Sequence, residues 1–404
     1  MEDQRATSAV EHFTLRKKLA FSAIAVIGFF VVLEVVCRIG AFAVYERSPY
    51  FLMYGLRSLS SDVAPLEHTV PKRGYFTFTP STVLHQYGLF RDPTPIRINN
   101  HGFRGEDFDA EKGSNVVRII SIGESSTFGY FDRDGYTYPA LLQKKLEQDS
   151  ALAGRAVEVV NAGLPHAKST HFAPMMRDEI VDYDPDIITL YAAYNDAAFV
   201  EDANIWQATA RWIHAHFVSY VALKHLVDKL GGPELHSRWA TYAAGASADY
   251  VNRQVQLHVA EFTRNVVSMI ESARANDIDV ILIRQALRMM PHADYARDSV
   301  RLRRYANRLA YAESLLTADG RITPEHSTTI NHAALIAVVD SLGRTYGIPV
   351  VDNIAIVDEH PEYFASYVHL TEDANDALAE ALVPVVLRIL EGRNQVARGS
   401  PVQR

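Results

Sequence analysis

The pattern of apolar and polar positions changes character along the chain. From Leu19 to Leu33 the run LAFSAIAVIGFFVVL carries no charge, and apolar character resumes around Glu34 and Arg38 as far as Val44. As a helix, Leu19 to Leu33 rises only about 22 Å, whereas extension to Arg38 matches the roughly 30 Å of a hydrocarbon core. Glu34 and Arg38 stand one helical turn apart toward the far end, where they pair and Arg38 snorkels. The pattern predicts a transmembrane anchor over residues 19–44 after a cytoplasmic segment, residues 1–18. Arg16, Lys17 and Lys18 precede the run directly while a balanced Glu46 and Arg47 follow it, so the positive-inside rule puts the remainder outside the cytoplasm. Two rivals stay open: a signal peptide cleaved after Ala41-Phe42-Ala43, which has the small-x-small form of such sites, and a buried helix of a soluble protein.

Residues 45–115 have neither period. Pro49, Pro65, Pro71, Pro80, Pro93 and Pro95 punctuate them, and the expectation is a strand-poor lead-in packed on the main domain. It closes in INNHGFRGEDF, where Asn100-His101-Gly102 reads as a tight turn and Arg104 offers either an anion contact or a structural ion pair.

From Val116 short β-branched runs alternate with helical stretches, the pattern of a parallel sheet with crossover helices. The runs are VVRIISIG (Val116 to Gly123), VEVVNAG (Val157 to Gly163), DIITLYAA (Asp186 to Ala193), DVILIRQ (Asp279 to Gln285) and IPVVD (Ile348 to Asp352). Between them lie amphipathic segments such as Val259 to Asn276, with apolar residues at the helical period. The prediction is a doubly wound α/β domain over residues 116–392, with helical insertions at about 201–256 and 292–326, and a tail at 393–404. In the first insertion Trp206, Ile213, Phe217, Tyr220 and Leu223 recur at near-helical spacing up to Gly231-Gly232-Pro233. Core packing is the expected role, with a lid or a bilayer-facing surface as alternatives. In the second, Arg297, Arg301, Arg304 and Arg308 share a helical face, read as a solvated face with an acidic headgroup or glycan site as the rival.

Composition narrows the function. The 404 residues are 48% hydrophobic, enough for a full core, and the net charge of -8 argues against a nucleic-acid binder. Cys37 is the single cysteine, so neither an internal disulfide nor a cysteine-based zinc site is expected. No Walker loop, Rossmann glycine triplet or HExxH helix occurs, and the expectation is no cofactor and no metal.

In an open parallel sheet the chemistry gathers after the carboxyl ends of the strands. There the chain carries Gly123-Glu124-Ser125-Ser126-Thr127-Phe128-Gly129, Asn161-Ala162-Gly163 and Tyr194-Asn195-Asp196, with Tyr367-Val368-His369-Leu370-Thr371 near the C-terminus. A serine hydroxyl needs a base, so Ser125 calls for His369. Free N–H groups at the helix start beside Ser125, the unhindered N–H of Gly163 and the amide of Asn195 are the candidate oxyanion donors. The structural alternatives are an N-cap role for Ser125, turns for Gly163 and Asn195, and a satisfied core position for His369.

These blocks resemble the SGNH, or GDSL-type, hydrolase family, which carries Ser, Gly, Asn and His in that chain order. GESSTFG, NAG, AYND and YVHLTEDAN match its four blocks, and the likeness extends over about Val116 to Leu390. The resemblance implies a flavodoxin-like three-layer sandwich with a five-stranded parallel sheet, and hydrolysis or transfer of ester-linked acyl groups, often acetyl groups on carbohydrates. The family usually places an acid three residues before the histidine, and here that residue is Ser366. Asp352, Asp358, Glu362 or a backbone carbonyl are the candidates to orient the ring instead. The expected function is a membrane-anchored, extracytoplasmic serine esterase acting on an acylated small molecule or glycan. The alternatives are an O-acyltransferase and a catalytically silent glycan-binding scaffold.

Overall fold

The computed structural model describes residues 14–45, 69–84, 95–198, 246–288, 321–322, 324–358 and 360–397, with scattered positions between 209 and 226. The arginine-rich face of the second insertion lies outside them. The chain forms two compact units, Met1–Glu67 with Ala203–Thr241, and His68–Asp202 with Tyr242–Arg404.

In the first unit the apolar run forms one helix, α1 (Leu15–Tyr45), of which Leu15–Gly40 is long and apolar enough to cross a membrane. Its large side chains, from Leu19 and Phe21 to Val36 and Ile39, are exposed around its circumference. A helix with apolar side chains exposed in this way is a candidate membrane span. Glu34 and Arg38 pair at 2.7 Å, as their spacing predicts.

The second unit opens with two small antiparallel ladders, β1 (Thr69–Pro71) on β2 (Phe76–Phe78) and β3 (Val83–Leu84) on β4 (Ile96–Arg97). The lead-in thus has short strands. It is pinned to the main domain by Phe78, Leu84, Ile96, Ile98 and Phe103, all part of the main core.

Strands β5 (Val116–Gly123), β6 (Ala156–Gly163), β7 (Ile187–Tyr191), β9 (Asp279–Ile283) and β11 (Val350–Val351) form one parallel sheet in the order β6-β5-β7-β9-β11. The five β-branched runs each coincide with one of these strands, β6 starting one residue earlier at Ala156. The interior strand β5 is buried at nearly every residue, because a parallel strand covered on both faces has no solvent side to alternate with. The remaining pair, β8 (Ala246–Ser247) with β10 (Arg321–Ile322), is a small ladder outside the main sheet.

The order reverses at β5, and with right-handed crossovers this reversal sends helices to opposite faces. After the single-turn α2 (Ser125–Phe128), α3 (Tyr138–Glu147) links β5 to β6 and packs on the last long helix, α8 (Glu372–Ala397). The other group is α4 (Ser169–Asp178), α5 (Ala248–Ala275) and α6 (Pro324–Tyr346). The short α7 (Asn353–Val357) follows β11. In α5 the buried Phe262, Val266, Met269, Ile270 and Ala273 fall on one stripe, and Ser247 caps its start by accepting from Tyr250 N. The result is the flavodoxin-like α/β sandwich. Its switch point lies between β5 and β7, where Ser125 and Asn195 follow the strand ends.

Candidate active site

The turn after β5 is tightly constrained. Gly123 leaves the strand where a Cβ would stand 2.1 Å from Thr127 Oγ1, and Gly129 ends α2 in the left-handed region at φ 82°. Both glycines flank Ser125 in sequence for that reason. Arg104 holds the far end of α2, donating to the carbonyls of Phe128 (2.8 Å), Gly129 (2.5 Å) and Asp132 (2.7 Å) and pairing with Asp134. Every donor of this buried guanidinium is thus spent within the protein, which resolves Arg104 as a structural residue. Asn161 adds a bond from Nδ2 to Thr127 O at 2.8 Å. Ser126 Oγ donates to Val368 O at 3.0 Å, tying α2 to the segment that carries His369.

Held this way, Ser125 Oγ lies 2.8 Å from His369 Nε2, bridging 244 positions of sequence. On the other side of the ring, His369 Nδ1 lies 2.6 Å from Ser366 Oγ. The residue standing at the usual acid position therefore engages the ring directly, as a hydroxyl. Asp352 is committed elsewhere, because it caps α7 through Ala355 N and pairs with Arg284 at 2.6 Å. Glu362 pairs with His360 at 2.9 Å.

The imidazole is walled by aromatic rings that sequence reasoning missed. Tyr130 stacks on it at 5.4 Å, Phe131 meets it edge-on at 4.9 Å and Tyr367 lies 6.3 Å away, itself 5.2 Å from Tyr194. The available signal was the pair Tyr130-Phe131 directly after GESSTFG. Burial in this wall, assisted by the charge of His166, pulls the His369 imidazole down to about 4. His166 itself adopts φ 63°, an unusual conformation for a residue with a side chain.

Asn195 is positioned from both ends. Its backbone N–H donates to Glu124 Oε1 at 3.1 Å, and its amide donates one hydrogen to Ala167 O at 2.9 Å, leaving the second for another acceptor. Glu124, buried behind Ser125, also receives Ala193 N and Gln285 Nε2, both at 3.1 Å. Burial, reinforced by Asp196, pushes its carboxyl up to about 8. Asp196 receives Ser169 through both backbone and hydroxyl, which ties the Asn195 turn to the start of α4.

Gly163 has a partner that the sequence did not announce. Its N–H, the proposed oxyanion donor, donates to Asn161 Oδ1 at 3.0 Å. What requires glycine is packing: a Cβ there would stand 2.1 Å from Phe128 N. Meanwhile no backbone acceptor is found among the described residues for the N–H groups of Ser125 and Ser126, while Thr127 and Phe128 N–H both return to Glu124 O. Also among the described residues, no three His, Cys, Asp or Glu side chains converge as a metal would require.

Residues 121–377 match the GDSL-like Lipase/Acylhydrolase family. Among curated proteins nothing matches. Similar solved structures include a lipase/acylhydrolase from Enterococcus faecalis, 17% identical over 67% of this chain and 96% of that one, with a TM-score of 0.37. Another is a catalytic mutant of an acetylxylan esterase from Geobacillus stearothermophilus, 13% identical over 66% of this chain and 93% of that one, with a TM-score of 0.38.

Proposed function

The chain belongs to the GDSL-like lipase/acylhydrolase family, and from that premise we propose that it is a membrane-anchored serine esterase that removes an acyl group from an O-acylated small molecule or glycan outside the cytoplasm. The observation that carries this reading is the chain of short contacts from Ser125 Oγ through both nitrogens of His369 to Ser366 Oγ, at 2.8 and 2.6 Å.

In the acylation step Ser125 Oγ bonds to the ester carbonyl carbon while its proton passes to His369 Nε2. The carbonyl oxygen takes up the negative charge and is held by the Ser125 backbone N–H and the free hydrogen of the Asn195 amide. The ring then returns the proton to the leaving alkoxide as its C–O bond breaks. Water repeats the sequence on the acyl-serine, releasing a carboxylic acid. For Nε2 to be the base, Nδ1 must carry the ring proton and donate it to Ser366 Oγ. A hydroxyl fixes that tautomer but lacks the charge with which a carboxylate stabilises the imidazolium, which agrees with the low basicity of this ring. Ser366 is also the residue that most favours a catalytically silent protein, and its contact with the ring weakens that alternative. The aromatic wall of Tyr130, Phe131 and Tyr367 offers flat apolar faces of the kind that pack on sugar C–H groups, in keeping with a glycan substrate.

The anchor reading rests on α1 and on Arg16, Lys17 and Lys18 before it. A reporter fused at the C-terminus is expected to work only outside the cytoplasm, and activity inside would overturn the topology. The chemistry is tested by treating the full chain in membranes with a serine-reactive phosphonate and locating the adduct by mass spectrometry. Labelling at Ser125, abolished by His369→Ala, is expected. An unlabelled Ser125 in folded protein would refute the assignment.

A further inference from the structure

The first unit joins α1 to an insertion expected to pack in a core, and the join is polar. Glu34 of α1 accepts Val218 N at 3.0 Å on one oxygen, and Ser219 N at 2.9 Å and Ser219 Oγ at 2.6 Å on the other. Arg38 pairs with the same carboxylate at 2.7 Å and donates to His216 O at 2.9 Å. The insertion is helical at His216, not at Phe217, and helical again over residues 218–220. At that break a carbonyl meets the guanidinium and the N–H groups of the next turn meet the carboxylate, each the charge that such a helix end favours.

Depth along α1 says what surrounds this break. With the anchor entering lipid after Lys18, Glu34 is about 24 Å along the helix and Arg38 about 30 Å, the far boundary of a typical hydrocarbon core. Groups bonded to these two side chains share that depth. The same segment exposes Trp212 (55%), Phe217, Leu223 (56%) and Leu226. In water this would be an unpartnered apolar surface beside an ion pair worth little. At the lipid boundary an indole and aliphatic side chains meet their preferred surroundings, and the two charges are tolerated because both are bonded.

We propose that the described residues around this break, from Trp212 to Leu226, belong to a membrane-embedded interfacial element, clamped to the anchor by the Glu34–Arg38 pair, with the outer lipid leaflet as the partner of its exposed apolar side chains. The inference rests on the reading of α1 as a membrane anchor. It gives the two charges in that helix a role, and it gives the insertion a partner other than a protein core.

The test uses the full chain in phosphatidylcholine vesicles with Trp206→Phe and Trp239→Phe, leaving Trp212 as the only indole. A spin label carried near the lipid headgroup is expected to quench Trp212 by roughly twofold or more, and aqueous iodide to quench it little. Resistance to alkaline carbonate extraction is measured on the same vesicles. If iodide quenches Trp212 fully and lipid does not, while the chain resists extraction, the inference falls and the anchor stands. If carbonate releases the chain, both fall. A Glu34→Leu variant keeps α1 apolar but removes the clamp, so iodide quenching should rise severalfold with extraction resistance kept. Unchanged quenching in that variant would overturn the clamp.

Discussion

Replacing Ser366 interrogates the site at the point where it departs most from its family. Burial lowers the ring of His369 from 6.5 to about 4, so the imidazolium is disfavoured by about 3 kcal/mol relative to a ring in water. The neutral ring is the form that accepts the Ser125 proton. kcat/KM for a short-chain aryl ester should therefore hold constant from neutral pH downward and fall only through about pH 4. In Ser366→Asp a carboxylate would stand beside Nδ1, and an opposite charge at such range raises a partner's pKa by about 1–3 units. The acid limb should move up accordingly, and the more basic ring should raise kcat on the order of tenfold at neutral pH. The Asp side chain is longer than the 2.6 Å gap now allows, so the segment around residue 366 must yield slightly. Ser366→Ala supplies the complementary measurement. It strands the buried Nδ1 proton at a cost of about 1–3 kcal/mol, a fall in kcat of roughly 5- to 150-fold, and should be partly offset in Ser366→Thr, which restores a hydroxyl. A wild-type acid limb near the ordinary histidine value, or a Ser366→Ala enzyme of undiminished kcat, would refute the reasoning.

Other expectations follow from the same contacts. Asn195→Ala should lower kcat by about a hundredfold to a thousandfold with KM little changed, read by steady-state kinetics. Asp352→Asn should leave the pH profile of activity intact while lowering the thermal midpoint, because its partners are Arg284 and Ala355 rather than His369. Gly163→Ala should destabilise the fold by about 1–3 kcal/mol or more in denaturant titration and lose phosphonate labelling, since its Cβ would drive into α2. Stability should decline from about pH 6 toward about pH 8, because the buried carboxyls of Glu124 (about 8) and Asp132 (about 7) keep protons that the unfolded chain releases above its ordinary carboxyl range. A thermal midpoint that rises over that interval would contradict the burial of these groups in their protonated state.

How much of this was legible in the chain depends on the range of the interaction. The parallel strands could be read because a β-branched run such as VVRIISIG has a single environment available to it, a strand covered on both faces. The Glu34–Arg38 pair is local and its spacing announced it. Ser125, Asn195 and His369 were legible as residue types at strand ends, though the 2.8 Å between the first and the last is a property of the closed sheet. Gly163 stands out in the sequence as a position that needs glycine, but the reason is packing against Phe128, which no local pattern encodes. Ser366 reads as a loss when only a carboxylate is sought, and its hydroxyl reaches the ring through a tight turn in which Ala365 N donates to His369 O. The docking of Val218 and Ser219 on Glu34 spans 184 and 185 positions and left no trace in the near-helical spacing of the insertion.

The 244 positions between Ser125 and His369 also order events in time. A chain made from its N-terminus exposes the proposed nucleophile long before the proposed base exists, and α8, which completes the helical layer with α3, arrives later still. Until then the serine hydroxyl is as inert as that of free serine. On the proposed reading, esters encountered during synthesis and transit meet a serine that has no proton acceptor. On that reading the site is completed only when the last segment closes onto Ser126 through Val368 O, 242 positions away in sequence.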